Sequence, residues 1–215
     1  MMDDSSTKDF STSSPKLIVG VLADTHIPDR VDRLHPDIIS VFKSAGVELI
    51  LHAGDICIPR VISQLEQVAP VKGVLGNRDW FFYRKLPTTQ ELELAGMPVF
   101  LTHGHGSFIH YWINKWYYYT EGYQLARYHE YLARNAPQAR VIIFGHSHYA
   151  ENFCQGGQLF FNPGSASMGW RPGKEPSIGL LRFYSDDQVK GEIIKLDSYR
   201  LEARHWIFIR NLKIS

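Results

Sequence analysis

Short apolar runs that end in polar clusters are the feature that most constrains how this chain can fold. The first run covers residues 17–23, and similar runs cover 49–53 and 71–75. Such runs are typical of strands that are covered on both faces. Apolar residues near helical spacing in 31–45 and 60–68 predict a helix between each pair of strands. The order strand, helix, strand, helix, strand predicts parallel neighbours in an α/β sheet.

The second half of the chain is predicted to be mainly β structure. A hairpin is expected from residue 91 to residue 102 around Ala95-Gly96, and a buried strand over 141–144. Short strands with Gly-rich turns then continue to about residue 196. This change of pattern predicts two sheets packed face to face, with helices outside. The last stretch, 197–215, fits a helix followed by a strand, with no defined place in the fold.

Length and composition favour one folded domain. The chain has 215 residues, of which 44% are hydrophobic and 21% charged, as in ordinary globular proteins. Residues 1–14 are predicted to be a disordered tail, because they hold almost no apolar side chains. Residues 15–215 are then expected to form a single domain with an aromatic, helical insertion at about 107–135.

Charge and cysteine content limit the expected partners and cellular location. The formal net charge of +1 gives no electrostatic reason to expect long nucleic acids or an anionic membrane as partner. No apolar run approaches the roughly 20 residues that span a bilayer. The two cysteines, Cys57 and Cys154, are too few for a disulfide framework, and the N-terminus lacks a secretory signal pattern. A cytoplasmic location is therefore expected.

Five predicted strand ends carry side chains that bind metals. Carboxylate, imidazole and amide ligands together suit Mn, Fe or Zn, and the neighbouring glycines allow sharp turns. Seven ligands are more than one such ion takes from protein, so two ions are predicted. Asp55 is the natural bridge, since a carboxylate has two oxygens and this one lies midway along the series. The predicted ligands are Asp24, His26, Asp55, Asn77, His103, His146 and His148.

The order of these motifs resembles the calcineurin-like metallophosphoesterase superfamily over about residues 17 to 170. The superfamily pattern is Asp-x-His, Gly-Asp, Gly-Asn, a later His, and Gly-His-x-His. The sequence is most similar to its small bacterial and archaeal phosphodiesterase branch, through Thr102-His103-Gly104-His105 and Asn162-Pro163-Gly164-Ser165.

The resemblance implies a four-layer α/β/β/α sandwich of two mixed sheets and a dinuclear phosphoesterase acting on small phosphodiesters. Manganese is the implied activating ion, with Fe, Zn, Ni or Co as alternatives. A metal-bridging hydroxide would attack phosphorus. The implied ligand sets are Asp24, His26, Asp55 and His148 for one ion, and Asp55, Asn77, His103 and His146 for the other.

The proton donor to the leaving group is the weaker part of this prediction. Many superfamily members have His after Gly-Asn, and this chain has Arg78. Arginine stays protonated, so Arg78 is expected to bind a phosphate oxygen rather than to give up a proton. His105 is the candidate general acid and a second substrate contact.

Several other residues have a structural interpretation. Asp79 is expected to cap a segment or brace the site, His52 to be a core histidine, and Cys57 to be at most a minor candidate ligand. The histidines outside the motifs are interpreted as surface or packing residues: His35, His110, His129 and His205.

The aromatic segment 108–131 has three open interpretations. It is a helix packed on the sheet, a lid that binds flat groups through Trp112 and Trp116, or a surface for homo-oligomer formation.

Two rival functions remain. Asp24 to Pro28 also resembles the metallophosphoesterase-fold subunit of retromer, a non-catalytic interaction scaffold. That scaffold departs from the superfamily at the bridging Asp and at the Asn, which are present here as Asp55 and Asn77. A nuclease is the other rival, and the absence of a basic stripe counts against it.

Overall fold

The computed structural model describes residues 14–79, 85–105, 125–169 and 174–209. The helices are α1 (Asp37–Ser44), α2 (Pro59–Leu65) and α3 (Leu125–Asn135). The strands are β1 (Leu17–Leu22), β2 (Leu49–His52), β3 (Val71–Gly73), β4 (Thr89–Leu94), β5 (Met97–Thr102), β6 (Val141–Ile143), β7 (Glu151–Gln155), β8 (Gln158–Asn162), β9 (Ser177–Phe183), β10 (Val189–Lys195), β11 (Tyr199–Glu202) and β12 (His205–Phe208).

The first sheet has five strands in the order β10-β9-β1-β2-β3. Strands β1, β2 and β3 are parallel neighbours, as the alternation of strands and helices predicted. Helix α1 connects β1 to β2 and α2 connects β2 to β3. Strands β9 and β10 add an antiparallel hairpin at the other side of β1.

The second sheet has five strands in the order β4-β5-β6-β8-β7. The predicted hairpin is present as β4 and β5, with Ala95 and Gly96 at the turn in left-handed conformations. Strands β5, β6 and β8 run parallel, and β7 returns antiparallel beside β8. The sheet is therefore mixed rather than a simple meander.

Three apolar clusters divide the molecule into four layers. Val21 and Leu51 of the first sheet meet Ile143 and Phe161 of the second sheet between the two sheets. Other strand residues face the helices on the outer surfaces, and α3 covers the second sheet through residues such as Leu132. The α/β/β/α sandwich that the resemblance implied is confirmed.

Packing of α1 explains a glycine within β1. A Cβ atom on Gly20 would lie 2.9 Å from the ring of Phe42, which is fully buried on α1. A fully buried Phe contributes about 1.5–3 kcal/mol relative to an exposed one. Gly20 therefore lets α1 approach the sheet closely enough to bury this ring.

The expectation of a helix in the stretch from residue 197 was wrong over its described part, 197–209. Strands β11 and β12 form an antiparallel ribbon instead. Side chains alternate between half-buried and exposed along β11, which is the period of a strand. The turn uses Ala203 and Arg204 at φ 44° and 75°, and the Trp206 indole donates to the carbonyl of Arg33. These contacts with a distant loop override the local sequence preference.

Other boundaries differ less from the predictions. Helix α1 begins at Asp37 rather than near residue 31, because Pro36 is accommodated at a helix start and not inside a helix. Helix α3 covers the end of the predicted aromatic helix. The rest of that segment, the tail at 1–13 and residues 210–215 lie outside the described residues. No helix within the described ranges is long and apolar enough to cross a membrane.

Candidate metal centre

The carboxyl ends of parallel strands from both sheets meet at one edge of the sandwich. Asp24 and His26 follow β1, Asp55 follows β2, and Asn77 follows β3. The second sheet contributes residues after β5 and β6, namely His103, His146 and His148. The structure brings all seven predicted ligand residues together at this edge.

One group of donor atoms lies around Asp24. The Nε2 atoms of His26 and His148 are 3.2 Å apart, and His148 Nε2 is 3.3 Å from Asp24 Oδ1. His26 Nε2 lies 3.6 Å from both Asp24 Oδ1 and Asp55 Oδ2. Ligand atoms of Asp24, His26 and His148 all lie within 4.8 Å of one another.

A second group lies around Asn77. Its side-chain oxygen is 3.2 Å from His103 Nε2 and 3.1 Å from His146 Nδ1. His103 Nε2 is also 3.6 Å from Asp55 Oδ1. The two oxygens of Asp55 therefore face different groups, Oδ2 towards His26 and Oδ1 towards His103.

The chemistry of these donors fits divalent cations. Asp24 is fully buried, yet no described residue donates a hydrogen bond to its Oδ1. The Nε2 atoms of His26 and His148 face each other. Their lone pairs repel unless one Nε2 carries a proton or a cation lies between them. Buried oxygen and nitrogen lone pairs that converge without donors are costly, and a cation would satisfy them.

Several candidate ligand residues have left-handed backbone conformations. Asp24, His26, Asp55, His146 and His148 have φ values of 54°, 49°, 57°, 68° and 58°. Left-handed conformations cost of order 1–3 kcal/mol each for residues other than glycine, so the surrounding structure must hold them. The glycines of the motifs were expected to supply the sharp turns. The structure shows that five of the ligand residues themselves also adopt the strained, left-handed conformation.

Asp79 supplies part of that support. Its buried carboxylate accepts hydrogen bonds from the backbone N–H groups of Asp55 (3.0 Å), Cys57 (2.6 Å) and Gly76 (2.7 Å). Burial raises the pKa of Asp79, although the bonds from Gly76 and Cys57 oppose this shift. Asp79 ties the loop after β2 to the loop after β3, which is the bracing role expected for it.

Hydrogen bonds and charges set the protonation of the ligands. His103 Nδ1 donates to the carbonyl of Ala53 at 2.7 Å, which leaves Nε2 as a lone-pair donor. Burial lowers the pKa of His103, but the charges of Asp55 and Asp24 outweigh it and the net shift is upward. Burial would raise the pKa of Asp24, yet His148 and His26 hold it well below its usual range. Burial lowers the pKa of His146 to about 3.

Two of the four predicted substrate-contacting residues, Arg78 and His105, flank the second group. The Arg78 backbone N–H donates to Asp55 Oδ1 at 2.8 Å, and its half-exposed guanidinium pairs with Asp29 at 3.2 Å. The ring of His105 is buried, 5.3 Å from that of His103 and 6.3 Å from that of His146. Burial lowers the pKa of His105 to about 3, so its imidazole is neutral at pH 7. Trp112 and Trp116 lie outside the described residues.

The minor candidates have structural surroundings. Burial and the charge of Asp79 raise the pKa of the Cys57 thiol, which disfavours the thiolate that metal binding requires. His52 is buried with Nε2 3.2 Å from the Thr25 hydroxyl, as expected of a core histidine.

The remaining histidines also lie where packing or surface roles were predicted, apart from His110, which is outside the described ranges. His35 packs edge-on against Trp206, His129 Nε2 lies 2.9 Å from Glu151, and the exposed His205 pairs with Asp32.

Three residues that support the site could not be identified from the sequence. Asp29 pairs with Arg78, Tyr128 donates to the carbonyl of His103 at 3.4 Å, and Ser167 donates to the carbonyl of Asp24 at 2.7 Å. Each contact joins segments that are distant in the sequence or reaches a backbone atom. No local pattern signals such contacts.

The geometry defines a class of protein: an α/β/β/α sandwich with a candidate metal centre where strands of both sheets end. The profile of the calcineurin-like phosphoesterase superfamily domain matches residues 17–186. The chain therefore belongs to this superfamily, and membership implies the use of divalent metal ions.

Individual relatives agree with this assignment. The chain is 32% identical over 181 residues to a probable metallophosphoesterase of Methanothermobacter thermautotrophicus, covering 83% of this chain and 92% of the relative.

Solved structures support the fold. A single-site mutant of Vps29 from Entamoeba histolytica superposes with a TM-score of 0.63 at 23% identity, covering 83% of this chain and 99% of the other. An archaeal phosphodiesterase has a TM-score of 0.57 at 21% identity, covering 83% and 100%.

Proposed function

We propose that this chain is a dinuclear metal-dependent phosphodiesterase. The observation that carries the proposal is the position of Asp55, whose two carboxylate oxygens face two separate groups of donor atoms. Asp24, His26, Asp55 and His148 would hold one ion, and Asp55, Asn77, His103 and His146 the other. Manganese is the proposed metal, since oxygen and imidazole donors without thiolates suit it.

The bound ions would activate water as the nucleophile and neutralise charge that develops on the phosphoryl oxygens. The protein holds the donors rigidly, through Asp79 and through the His103–Ala53 hydrogen bond. Buried donors cost little reorganisation when the reaction occurs.

Arg78 would bind a non-bridging phosphate oxygen of the substrate. Its guanidinium is half-exposed at the edge of the site, and the partner that it now has, Asp29, is also partly exposed. Exchange of a surface ion pair for a phosphate contact costs little, because such pairs contribute only about 0–1 kcal/mol. His105 would donate a hydrogen bond to the substrate through its neutral imidazole. The predicted role as general acid would also require this imidazole to gain a proton when the anionic substrate binds beside it.

The test is hydrolysis of bis(p-nitrophenyl) phosphate by metal-free protein with and without added Mn²⁺. Wild type should need the metal, and Asp55→Asn should lose most activity and the binding of one ion per chain. Asp32→Asn is the matched control, because it makes the same change in a half-buried carboxylate that pairs with the exposed His205 and is not a candidate ligand. Failure of wild type to bind two ions or to turn over the diester would refute the proposal.

The alternative is a non-catalytic interaction scaffold on the same fold, and the Vps29 structures share that fold. The presence of both Asp55 and Asn77 within the site favours the enzyme. Stoichiometric metal binding with no turnover of any phosphoester would favour the scaffold.

A further inference from the structure

The segment that begins at the last residue of β8, Asn162 to Ser167, contacts backbone atoms of the loops that carry candidate metal ligands. We call it the clamp segment. The sequence motif Asn-Pro-Gly-Ser marks its first four residues but does not indicate what it does. None of the seven candidate ligands belongs to it, and its contacts go to the two loops that carry four of them, the loops after β1 and after β6.

Two hydroxyl groups of the clamp segment meet at one atom. Ser165 Oγ and Ser167 Oγ both donate to the carbonyl oxygen of Asp24, at 3.0 and 2.7 Å. Both serines are 1% exposed, so water does not replace these bonds. The N–H of Ala166 also donates to the carbonyl of Ala23 at 2.9 Å. The segment therefore holds the peptide groups on both sides of the Asp24 Cα, which has φ 54°.

The first residue of the clamp segment holds the loop after β6. The Asn162 amide donates to the carbonyl of Gly145 at 3.1 Å and to the Ser147 hydroxyl at 3.0 Å. Its own oxygen accepts from the N–H of Gly164 at 2.9 Å, which fixes the orientation of the amide. Gly145 and Ser147 flank His146, and Ser147 precedes His148.

A hydrogen bond also joins the loop after β1 directly to the loop after β6. The backbone N–H of His146 donates to Asp24 Oδ2 at 3.1 Å, which directs the other oxygen, Oδ1, towards His148. Asp24 and His148 belong to the same candidate metal group. The clamp segment thus supports two of the four proposed ligands of the first ion, and only His146 of the second.

We infer that Ser165 and Ser167 are positioning residues that set the affinity of the first metal group by holding Asp24 in its left-handed conformation. This inference rests on the proposed metal centre. Removal of both hydroxyls leaves the Asp24 carbonyl with neither donor, and Asp24 can then relax towards an unstrained φ. Loss of outer partners of metal ligands weakens metal binding by about 10–100-fold.

The experiment measures Mn²⁺ binding to metal-free protein by equilibrium dialysis, with wild type required to bind two ions. Each serine variant is made in two backgrounds: Ser165→Ala, Ser167→Ala and the double variant. In the Asn77→Ala background the first group is the one whose affinity is measured, and in the His148→Ala background it is the second. The double variant should lose about 10–100-fold in affinity at the first group and less than about threefold at the second. The single variants should lose less, because one hydroxyl remains.

Ser177→Ala is the matched control. Its buried hydroxyl donates to the carbonyl of Pro163 at 2.6 Å, within the clamp segment but not to Asp24. Circular dichroism and thermal unfolding establish that each variant is folded. If the double variant does not fold, the single variants decide, and each should bind at least about threefold more weakly than Ser177→Ala at the first group.

Three results would overturn the inference: unchanged affinity of the first group, an equal loss at both groups, or an equal loss in Ser177→Ala. Failure of wild type to bind two ions overturns the proposed function as well. If wild type binds two ions and the serine variants bind them with the same affinity, the inference is overturned and the proposed function is not.

Discussion

Replacement of Asp79 by Asn tests how the loops after β2 and β3 are held. Asp79 Oδ2 accepts from two N–H groups and Oδ1 from the N–H of Cys57. An asparagine oxygen can take the place of Oδ2, but its NH₂ group would then face the N–H of Cys57. One buried backbone donor would be left without an acceptor, which costs about 1–3 kcal/mol.

Relief of the buried charge offsets part of this loss. The pKa of Asp79 is raised by burial, so the ionised carboxylate is disfavoured in the folded protein and neutral Asn avoids that penalty. A net destabilisation in the lower part of that range, about 1–2 kcal/mol, is expected. For a chain of this size it lowers Tm by about 2–8 °C, and Mn²⁺ affinity should fall about 10–100-fold as the Asp55 loop loses its brace.

Differential scanning calorimetry of the metal-free protein measures the first effect and Mn²⁺ titration the second. Asp32→Asn is again the control, since the half-buried Asp32 side chain pairs with the exposed His205 and does not contact Asp79. A Tm within about 1 °C of wild type together with unchanged metal affinity would refute the argument that three N–H bonds to one carboxylate hold the two loops.

Three further predictions concern protonation and substrate. His105→Ala should slow the hydrolysis of alkyl phosphodiesters by about 10²–10⁴-fold and that of activated aryl diesters far less, whereas equal losses would exclude His105 as general acid. In metal-free protein, the free energy of unfolding should decrease as pH falls from about 6.5 towards 3, because buried His52 has a pKa lowered to about 3 and the unfolded chain takes up the proton first. His52→Gln should make urea unfolding less pH-dependent over this range, and an unchanged slope would contradict this. Trp112→Ala and Trp116→Ala should raise KM for aromatic phosphodiesters several-fold, and unchanged kinetics would favour a packing role.

The parts of the fold that depend on local pattern could be predicted from the sequence. The apolar runs indicated β1, β2 and β6, and polar residues at their ends indicated which side chains gather. The ribbon after residue 198 could not be predicted, because Trp206 is buried against a loop near Arg33 that lies far away in the sequence. Long-range packing decides between helix and strand in such a segment.

The same distinction holds within the candidate site. Residue types and order predicted Asp24 and Asp55 as neighbours, but they carry no information on left-handed backbone conformations. The bonds that hold those conformations, from N–H groups to Asp79 and from Ser167 to a carbonyl, involve backbone atoms that are common to nearly all residues. The spatial arrangement has to be known before these partners can be named.

The ribbon of β11 and β12 has a consequence for the order in which this site is completed during synthesis. The loop after His26 is fastened by Arg204, whose carbonyl accepts from the N–H of Asp32 and whose guanidinium donates to the carbonyl of Pro28. On the ribosome, Asp24 and His26 emerge long before Ser167 and Arg204. Residues of β1 to β3 are therefore synthesised before the contacts that hold the loop after β1 are available, so the proposed first metal group would reach full affinity only after Arg204 has been added to the chain.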